Sequence, residues 1–220
     1  MQYLHAFGFW AQFCADRGSQ LCIIESSGAD PTVFAEALSA LPTAQVEVLR
    51  HSPDTQTLAR GKGAAEAELI DFALAESRFL SEPTAQFYKV TGRLIVGNAE
   101  EVIVPVSADV VRARHFLDRT RVDMRVVGTT ASLWRELLAD MGRDVNENKS
   151  IDLGNVVAAR LASPAIMKQI QVERFNPRPA IRGQSGTNGR TYGSLKHRVS
   201  EAFGLGVEDA LARFAGWKSI

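Results

Sequence analysis

The chain has 220 residues, 45% hydrophobic and 23% charged, enough for one α/β domain with a substantial core or for two small domains. Its 25 basic and 25 acidic residues give a net charge of zero, which argues against a broad nucleic-acid-binding surface. The sequence has no apolar run long enough to span a membrane and no secretory signal pattern. We therefore expect a cytoplasmic protein in which Cys14 and Cys22 are free thiols.

Apolar periodicity predicts helices and strands that alternate along the first half of the chain. The predicted helices are residues 3–17, 31–41, 64–79, 131–141 and 153–161. The predicted strands are residues 21–24, 46–49, 87–98, 102–106 and 121–127. Such alternation is typical of a layered α/β protein with a mainly parallel sheet. Residues 175–193 are rich in proline and then glycine, which predicts loops, and residues 199–214 have the pattern of an amphipathic helix.

The most informative stretch is residues 87–98, where a strand-like pattern contains Lys89, Thr91, Gly92 and Arg93. Two cations and a glycine inside a strand suggest that it opens onto a polar cleft, where a ligand or another backbone approaches. Because Lys89, Thr91 and Arg93 alternate, a half-buried edge strand with these side chains in solvent is an equally good interpretation.

Two other segments have polar residues where α/β proteins bind ligands. Glu25 and Ser26 end a short apolar strand, although they can equally form a turn before a helix capped by Asp30. Lys62 lies between two glycines ahead of a helix that contains Glu66, so this segment can present backbone N–H groups and a cation to a phosphate. The spacing is not that of a P-loop, and Glu66 is also explained by the helix dipole.

The loop of residues 183–193 combines small residues with hydroxyls, an arginine and an aromatic ring. Gly183, Ser185, Gly186 and Tyr192 are the residues that suit a flap over an anionic or sugar ligand. A surface loop without a function is the other interpretation.

Together with Asp123 and Arg125, these segments resemble a group of bacterial glycosyltransferase-like proteins associated with capsule and lipopolysaccharide genes. The resemblance spans about residues 3–195. It implies a single GT-A-like (Rossmann-like) α/β domain over 1–195, in which helices flank a mixed, mainly parallel sheet. A helical tail over 196–220 follows this domain. The resemblance implies transfer of a sugar from a nucleotide-diphosphate sugar to a glycan acceptor. Glu25 and Ser26 are candidate substrate-binding residues because of their place at the end of a strand. The substrate-binding residues that the resemblance implies are Lys62, Glu66, Lys89, Thr91, Gly92, Arg93, Arg125, Gly183, Ser185, Gly186 and Tyr192.

The resemblance also suggests how the diphosphate is neutralised. It places Lys89 and Arg93 where GT-A enzymes carry an Asp-x-Asp motif, which this sequence lacks. An aspartate pair binds a divalent cation, whereas lysine and arginine neutralise the leaving diphosphate directly. We therefore expect metal-independent binding without a cofactor. Inverting transfer needs a carboxylate base, and the candidates are Asp123 and Asp152.

Two features depart from the family pattern, since the chain starts almost directly in a helix and Asp152 stands where a glutamate is expected. A non-catalytic sugar-nucleotide-binding protein of the same fold is therefore an alternative. An unrelated α/β enzyme is a second one, but the sequence has neither a Gly-x-Ser-x-Gly elbow nor a Gly-x-Gly-x-x-Gly loop after a strand. The four histidines lack metal-ligand spacing, so no zinc site is predicted. We expect no nucleic-acid partner and no membrane span, while peripheral membrane association stays open.

Overall fold

A computed structural model describes residues 2–30, 32–184 and 191–192. Within these ranges the chain is a mixed α/β protein. The α-helices are α1 Gln2–Arg17, α2 Thr32–Leu38, α3 Thr55–Arg60, α4 Lys62–Glu76, α5 Ala99–Val102, α6 Ala131–Leu137 and α7 Leu153–Ile166. The strands are β1 Leu21–Glu25, β2 Val46–Arg50, β3 Gln86–Val90, β4 Ile95–Val96, β5 Val110–His115, β6 Val122–Thr130, β7 Gln171–Glu173, β8 Ile181–Gln184 and β9 Thr191–Tyr192. The predicted tail of residues 196–220 lies outside the described residues.

The described strands form three sheets, with the orders β1-β2, β3-β6-β5-β7 and β4-β8-β9. β1 pairs with β2 and β5 with β7 in parallel, but the other four pairings are antiparallel. The α/β class is thus confirmed, whereas the expected parallel arrangement holds for only part of the structure. The physical reason is clearest at β5 and β6, because the short connection of residues 116–121 permits only an antiparallel hairpin.

Two apolar clusters hold the fold together, and β6 contributes to both. Val127 packs in the cluster that contains fully buried Trp134 and Leu161, with side chains from α4, α6 and α7. Val126 packs in the second cluster, with Phe13 of α1 and side chains from α2, β1 and α5. Each large apolar side chain buried in this way contributes about 1.5–3 kcal/mol. β6 is therefore fixed from both faces. No described helix has both the length and the apolar character needed to cross a membrane.

Residues 87–98 do not form the single strand that the pattern predicts. β3 ends at Val90, and the Leu94 N–H then donates a hydrogen bond of 2.9 Å to the Thr91 carbonyl, which closes a turn that contains Gly92 and Arg93. The predicted strand at 102–106 is also wrong, because Val102 ends a helix and Pro105 follows in an irregular segment without an N–H to donate.

β6 is interrupted opposite β5. Ala113 pairs with Val127, but the next residue of β5, Arg114, pairs with Asp123, so residues 124–126 bulge out of the ladder. The Thr91 N–H donates a hydrogen bond of 3.0 Å to the Arg125 carbonyl and so ties the turn after β3 to the bulge. Bulges redirect side chains and are common beside functional sites.

Candidate functional site

A small cavity of about 50 Å³ lies at the bulge of β6. Its lining residues are Arg114, Asp123, Arg125, Val126, Phe175, Arg178, Pro179 and Ile181. We call it the arginine cavity, because three arginines and one aspartate are its charged lining residues. A space of this size has room for a few waters or for one group as large as a phosphate, given that one water needs about 10–15 Å³.

Asp123 holds two of these arginines in place. The Nε atom of Arg125 lies 2.9 and 3.0 Å from the two carboxylate oxygens, and Nη1 of Arg114 lies 3.9 Å from Oδ2. The Asp123 side chain is only 13% exposed. Burial raises the pKa of this carboxyl, but the hydrogen bonds and charge of Arg125, with the charge of Arg114, outweigh that effect and lower the pKa. The carboxylate therefore stays ionised and orients the arginines.

Lys89 lies beside the arginine cavity, but its ammonium group is engaged inside the protein. Nζ donates to the Glu66 carboxylate, to the Met124 carbonyl and, over 3.1 Å, to the Thr91 hydroxyl. An ammonium group has three hydrogens, so this set accounts for all of them. The Lys89 side chain is 9% exposed, so the interpretation of β3 as a strand with Lys89 in solvent does not hold. In this structure Lys89, Thr91 and Glu66 form one internal polar network.

The turn that carries Arg93 contacts the start of the glycine-rich segment. Gly183 has φ +121°, and a Cβ atom there would lie 2.5 Å from the Arg93 carbonyl oxygen, so only glycine allows this approach. The Arg93 side chain turns to α1, where Nε donates a 2.6 Å hydrogen bond to the Tyr3 hydroxyl. Tyr192 lies on β9 opposite Gly183, and the predicted flap residues Ser185 and Gly186 lie outside the described residues.

Glu25 ends β1 and closes its own loop. Its carboxylate accepts hydrogen bonds from the Ser27 N–H at 2.6 Å and the Gly28 N–H at 2.9 Å, and its side chain is buried. Burial raises the pKa of this carboxyl, but the hydrogen bonds from Ser27 and Gly28 have the larger opposite effect, so the pKa is lower than usual. The neighbouring Ser26 is exposed. Glu25 therefore has a structural role here, at a sheet distinct from the one that forms the arginine cavity.

The N-terminus of α4, where Lys62 was expected to help bind a phosphate, carries an anion supplied by the protein. The Gly63 N–H donates a 2.7 Å hydrogen bond to Oε1 of Glu147. Gly61 is so close that a Cβ atom there would lie 2.4 Å from the Glu147 carboxyl carbon. A helix N-terminus attracts negative charge, and Glu147 takes that position in this structure.

A larger, open cleft of about 570 Å³ lies between the β5–β6 turn and the start of α7. We call it the acidic cleft; its lining residues are Phe116, Asp118, Thr120, Arg121, Glu147, Ser150, Asp152 and Asn155. Asp152 caps α7 by accepting the Asn155 N–H at 3.0 Å, and its other oxygen lies 2.8 Å from Nη2 of Arg121. The two candidate bases, Asp123 and Asp152, thus lie in different cavities.

Sequence reasoning selected Asp123 and Arg125 in one cavity and Asp152 in the other, but missed Arg114, Arg178 and Phe116. The alternation of Arg112 and Arg114 with valine and alanine was a usable strand signal in residues 110–115. Nothing in the sequence marks Phe116 as part of a cleft.

The fold and these sites define a mixed α/β protein with a small arginine-lined cavity beside a larger acidic cleft. In the described part of the chain, no three histidine, cysteine, aspartate or glutamate side chains form a group that could hold a metal ion. Comparison of the chain with known protein families, with curated proteins and with solved structures finds no match.

Proposed function

We propose that this protein is a glycosyltransferase that transfers a sugar from a nucleotide-diphosphate sugar to a glycan acceptor in surface-polysaccharide biosynthesis. The observation that supports the proposal is the arginine cavity, which Arg114, Arg125 and Arg178 line together with the Asp123 carboxylate. Guanidinium groups bind phosphate oxygens through paired, charge-assisted hydrogen bonds, and they keep their charge at any physiological pH.

In this proposal the arginines neutralise the leaving diphosphate. Arg125 and Arg114 are already oriented by Asp123, so little side-chain entropy is lost when an anion binds. The cavity of about 50 Å³ has room for one phosphate group of the diphosphate, so the other phosphate, the sugar and the nucleoside lie outside it. Lys89 supports the bulge through its hydrogen bond to the Met124 carbonyl, and in this proposal it does not contact the nucleotide sugar.

The base for the acceptor hydroxyl is better assigned to Asp152 than to Asp123. Asp123 is buried and bound by Arg125, and its lowered pKa makes it a weak proton acceptor. Asp152 lines the larger cleft, which adjoins the arginine cavity through Arg114, whose guanidinium carbon lies 5.1 Å from the centre of the Phe116 ring.

A second candidate is a sugar-nucleotide-binding protein without transferase activity. It is favoured by the fact that both candidate bases are already in ion pairs, Asp123 with Arg125 and Asp152 with Arg121. A carboxylate in an ion pair must give up that partner, or share it, before it accepts a proton.

Thermal unfolding with UDP-, GDP- and CMP-sugars, with and without EDTA, tests the proposal. Arg178→Gln removes one charge from the arginine cavity, and Arg143→Gln is the matched control, because Arg143 is 75% exposed and does not line the cavity. A ligand at 100 times its Kd stabilises the folded state by about 2.7 kcal/mol. We expect a nucleotide sugar to stabilise the natural protein and the Arg143 variant but not the Arg178 variant, with no effect of EDTA.

The proposal fails if no nucleotide sugar changes the melting temperature, or if Arg178→Gln responds as the natural protein does. A donor-hydrolysis assay on the same samples separates the two candidates. Turnover supports the transferase, and binding without turnover supports the non-catalytic protein.

A further inference from the structure

We infer that the acidic cleft is a binding site for an uncharged carbohydrate. Its volume of about 570 Å³ falls in the range of small-molecule sites, about 300–1,000 Å³. The arginine cavity, by contrast, is more than ten times smaller. The cleft is the larger of these two concave features, and no step of the donor binding proposed above uses it.

The lining of the cleft has the groups that a sugar ring needs. Phe116 contributes an aromatic ring, over which the guanidinium carbons of Arg114 and Arg121 lie at 5.1 and 5.7 Å from its centre. The hydroxyls of Thr120 and Ser150 and the amide of Asn155 offer hydrogen-bonding groups. Asp118, Glu147 and Asp152 add carboxylate oxygens, which accept hydrogen bonds from sugar hydroxyls. A mixture of one apolar surface and many polar groups fits a polyhydroxylated ligand better than a lipid or another apolar molecule.

Several of these polar groups are fixed by hydrogen bonds within the protein. Asp118 accepts the Thr120 N–H at 3.1 Å, and Glu147 accepts the Gly63 N–H at 2.7 Å. The Asn155 amide donates to the Thr120 carbonyl at 2.9 Å and so connects α7 to the β5–β6 turn. A ligand therefore meets oriented groups, and ordering them costs little binding free energy.

The charge of the lining selects against acidic sugars. Three carboxylates and one arginine give the lining a formal charge of −2, whereas the three arginines and one aspartate of the arginine cavity give +2. Repulsion of unwanted ligands is a common source of specificity. Phosphorylated or carboxylated sugars are thus disfavoured in the cleft, whereas the charge of the arginine cavity attracts anionic groups. The identification of the bound sugar as the acceptor rests on the proposed function. The binding of a neutral sugar in the cleft does not depend on it.

Chemical-shift mapping of the isotope-labelled full chain tests the site. The probes are neutral trisaccharides of glucose, N-acetylglucosamine, galactose and mannose. Thr120→Trp fills the cleft, and Thr84→Trp is the control, since Thr84 is also an exposed threonine in a connection but does not line the cleft. We expect saturable shifts at Phe116, Ser150 and Asn155, at least about tenfold weaker binding in the Thr120 variant, and unchanged binding in the control.

A second arm tests the charge and stands even if Thr120→Trp does not fold. Asp118→Asn keeps an oxygen for the Thr120 N–H, and Asp109→Asn is the control, because Asp109 is exposed and lies outside the cleft. Each trisaccharide is compared with its aldonic acid, which adds one carboxylate. We expect Asp118→Asn to reduce the preference for the neutral sugar about two- to fivefold, the effect of one charge a few ångströms away in water.

Four results overturn the inference: no saturable shift with any probe, shifts confined to the arginine cavity, equal binding in Thr120→Trp, or a preference that Asp118→Asn leaves unchanged. None of them bears on the donor, which is detected separately through Arg178. If nucleotide sugars fail to bind while the cleft binds trisaccharides, the proposed transferase fails and the carbohydrate site stands.

Discussion

Replacement of Asp123 by asparagine tests whether this carboxylate holds the arginine cavity together. The side chains of Asp123 and Arg125 are 13% and 24% exposed, so the pair is largely screened from water. Loss of one partner of a buried ion pair typically costs about 3–5 kcal/mol. Asparagine keeps an oxygen for the Arg125 N–H groups, so we expect a loss near the lower limit, about 3 kcal/mol. That loss corresponds to a fall in melting temperature of about 6–12 °C for a chain of this size.

The pH dependence gives the same prediction a second readout. The pKa of Asp123 is lower in the folded protein than in the unfolded chain, so its contribution to stability is present above the unfolded pKa of about 3.9. That contribution is lost as the pH falls through the folded pKa. In urea denaturation, the difference between the natural protein and Asp123→Asn should therefore be full at neutral pH and should shrink below about pH 4.

Asp140→Asn is the matched control, since Asp140 is 64% exposed and its ion pair with Arg143 is on the surface. Such pairs contribute about 0–1 kcal/mol. The reasoning is refuted if Asp123→Asn costs less than about 1 kcal/mol at neutral pH, or if its cost is constant down to the acid transition.

Two further predictions concern backbone geometry and thiol chemistry. Gly183→Ala should destabilise the protein by about 1–3 kcal/mol more than Gly28→Ala in urea denaturation. A Cβ atom at Gly183 meets the Arg93 carbonyl, whereas one at Gly28, also at positive φ, meets nothing within 4 Å. Equal losses of stability in the two variants would show that the contact is unimportant. Burial raises the pKa values of Cys14 and Cys22 to about 11, so at about pH 8 only about one thiol in a thousand is ionised. Alkylation of the folded protein should therefore be far slower than alkylation in urea. Equal rates in the folded and unfolded protein would contradict this prediction.

The sequence predicts an element well where one pattern extends over its whole length. β1, β2, β6 and most helices lie within a few residues of their predicted positions, because an apolar stripe at a period of 2 or 3.6 is what each must bury. The Asp30 carboxylate likewise accepts the Thr32 N–H at 2.9 Å, which agrees with the interpretation that it caps the helix after it.

The misses have physical causes that a local pattern does not contain. The sequence from Thr91 to Leu94 keeps an alternation that suits a strand, but a backbone hydrogen bond closes it into a turn. The direction of strand pairing depends on which elements are joined by short connections, and β5 was not predicted, so the β5–β6 hairpin was missed as well. The partner of Lys89 depends on how α4 packs against β3, which no spacing along the chain specifies.

The same limit applies to the candidate site. Asp123 and Arg125 stand two residues apart on one strand, and they were selected through the family resemblance and not through the strand pattern. Arg114 and Arg178 come from distant segments and meet there only because β6 bulges and residues 175–181 pass over it.

The opposite charges of the arginine cavity and the acidic cleft have a consequence for how the whole molecule behaves in solution. Titration or electrophoresis near its isoelectric point of about 6.9 would report a net charge of zero. The entrances of the arginine cavity and the acidic cleft nevertheless exert local fields of opposite sign. Those fields extend over about 8 Å at physiological ionic strength, so added salt should slow the capture of anions at one entrance and of cations at the other. Electroneutrality here is a balance between regions and not an absence of electrostatic guidance.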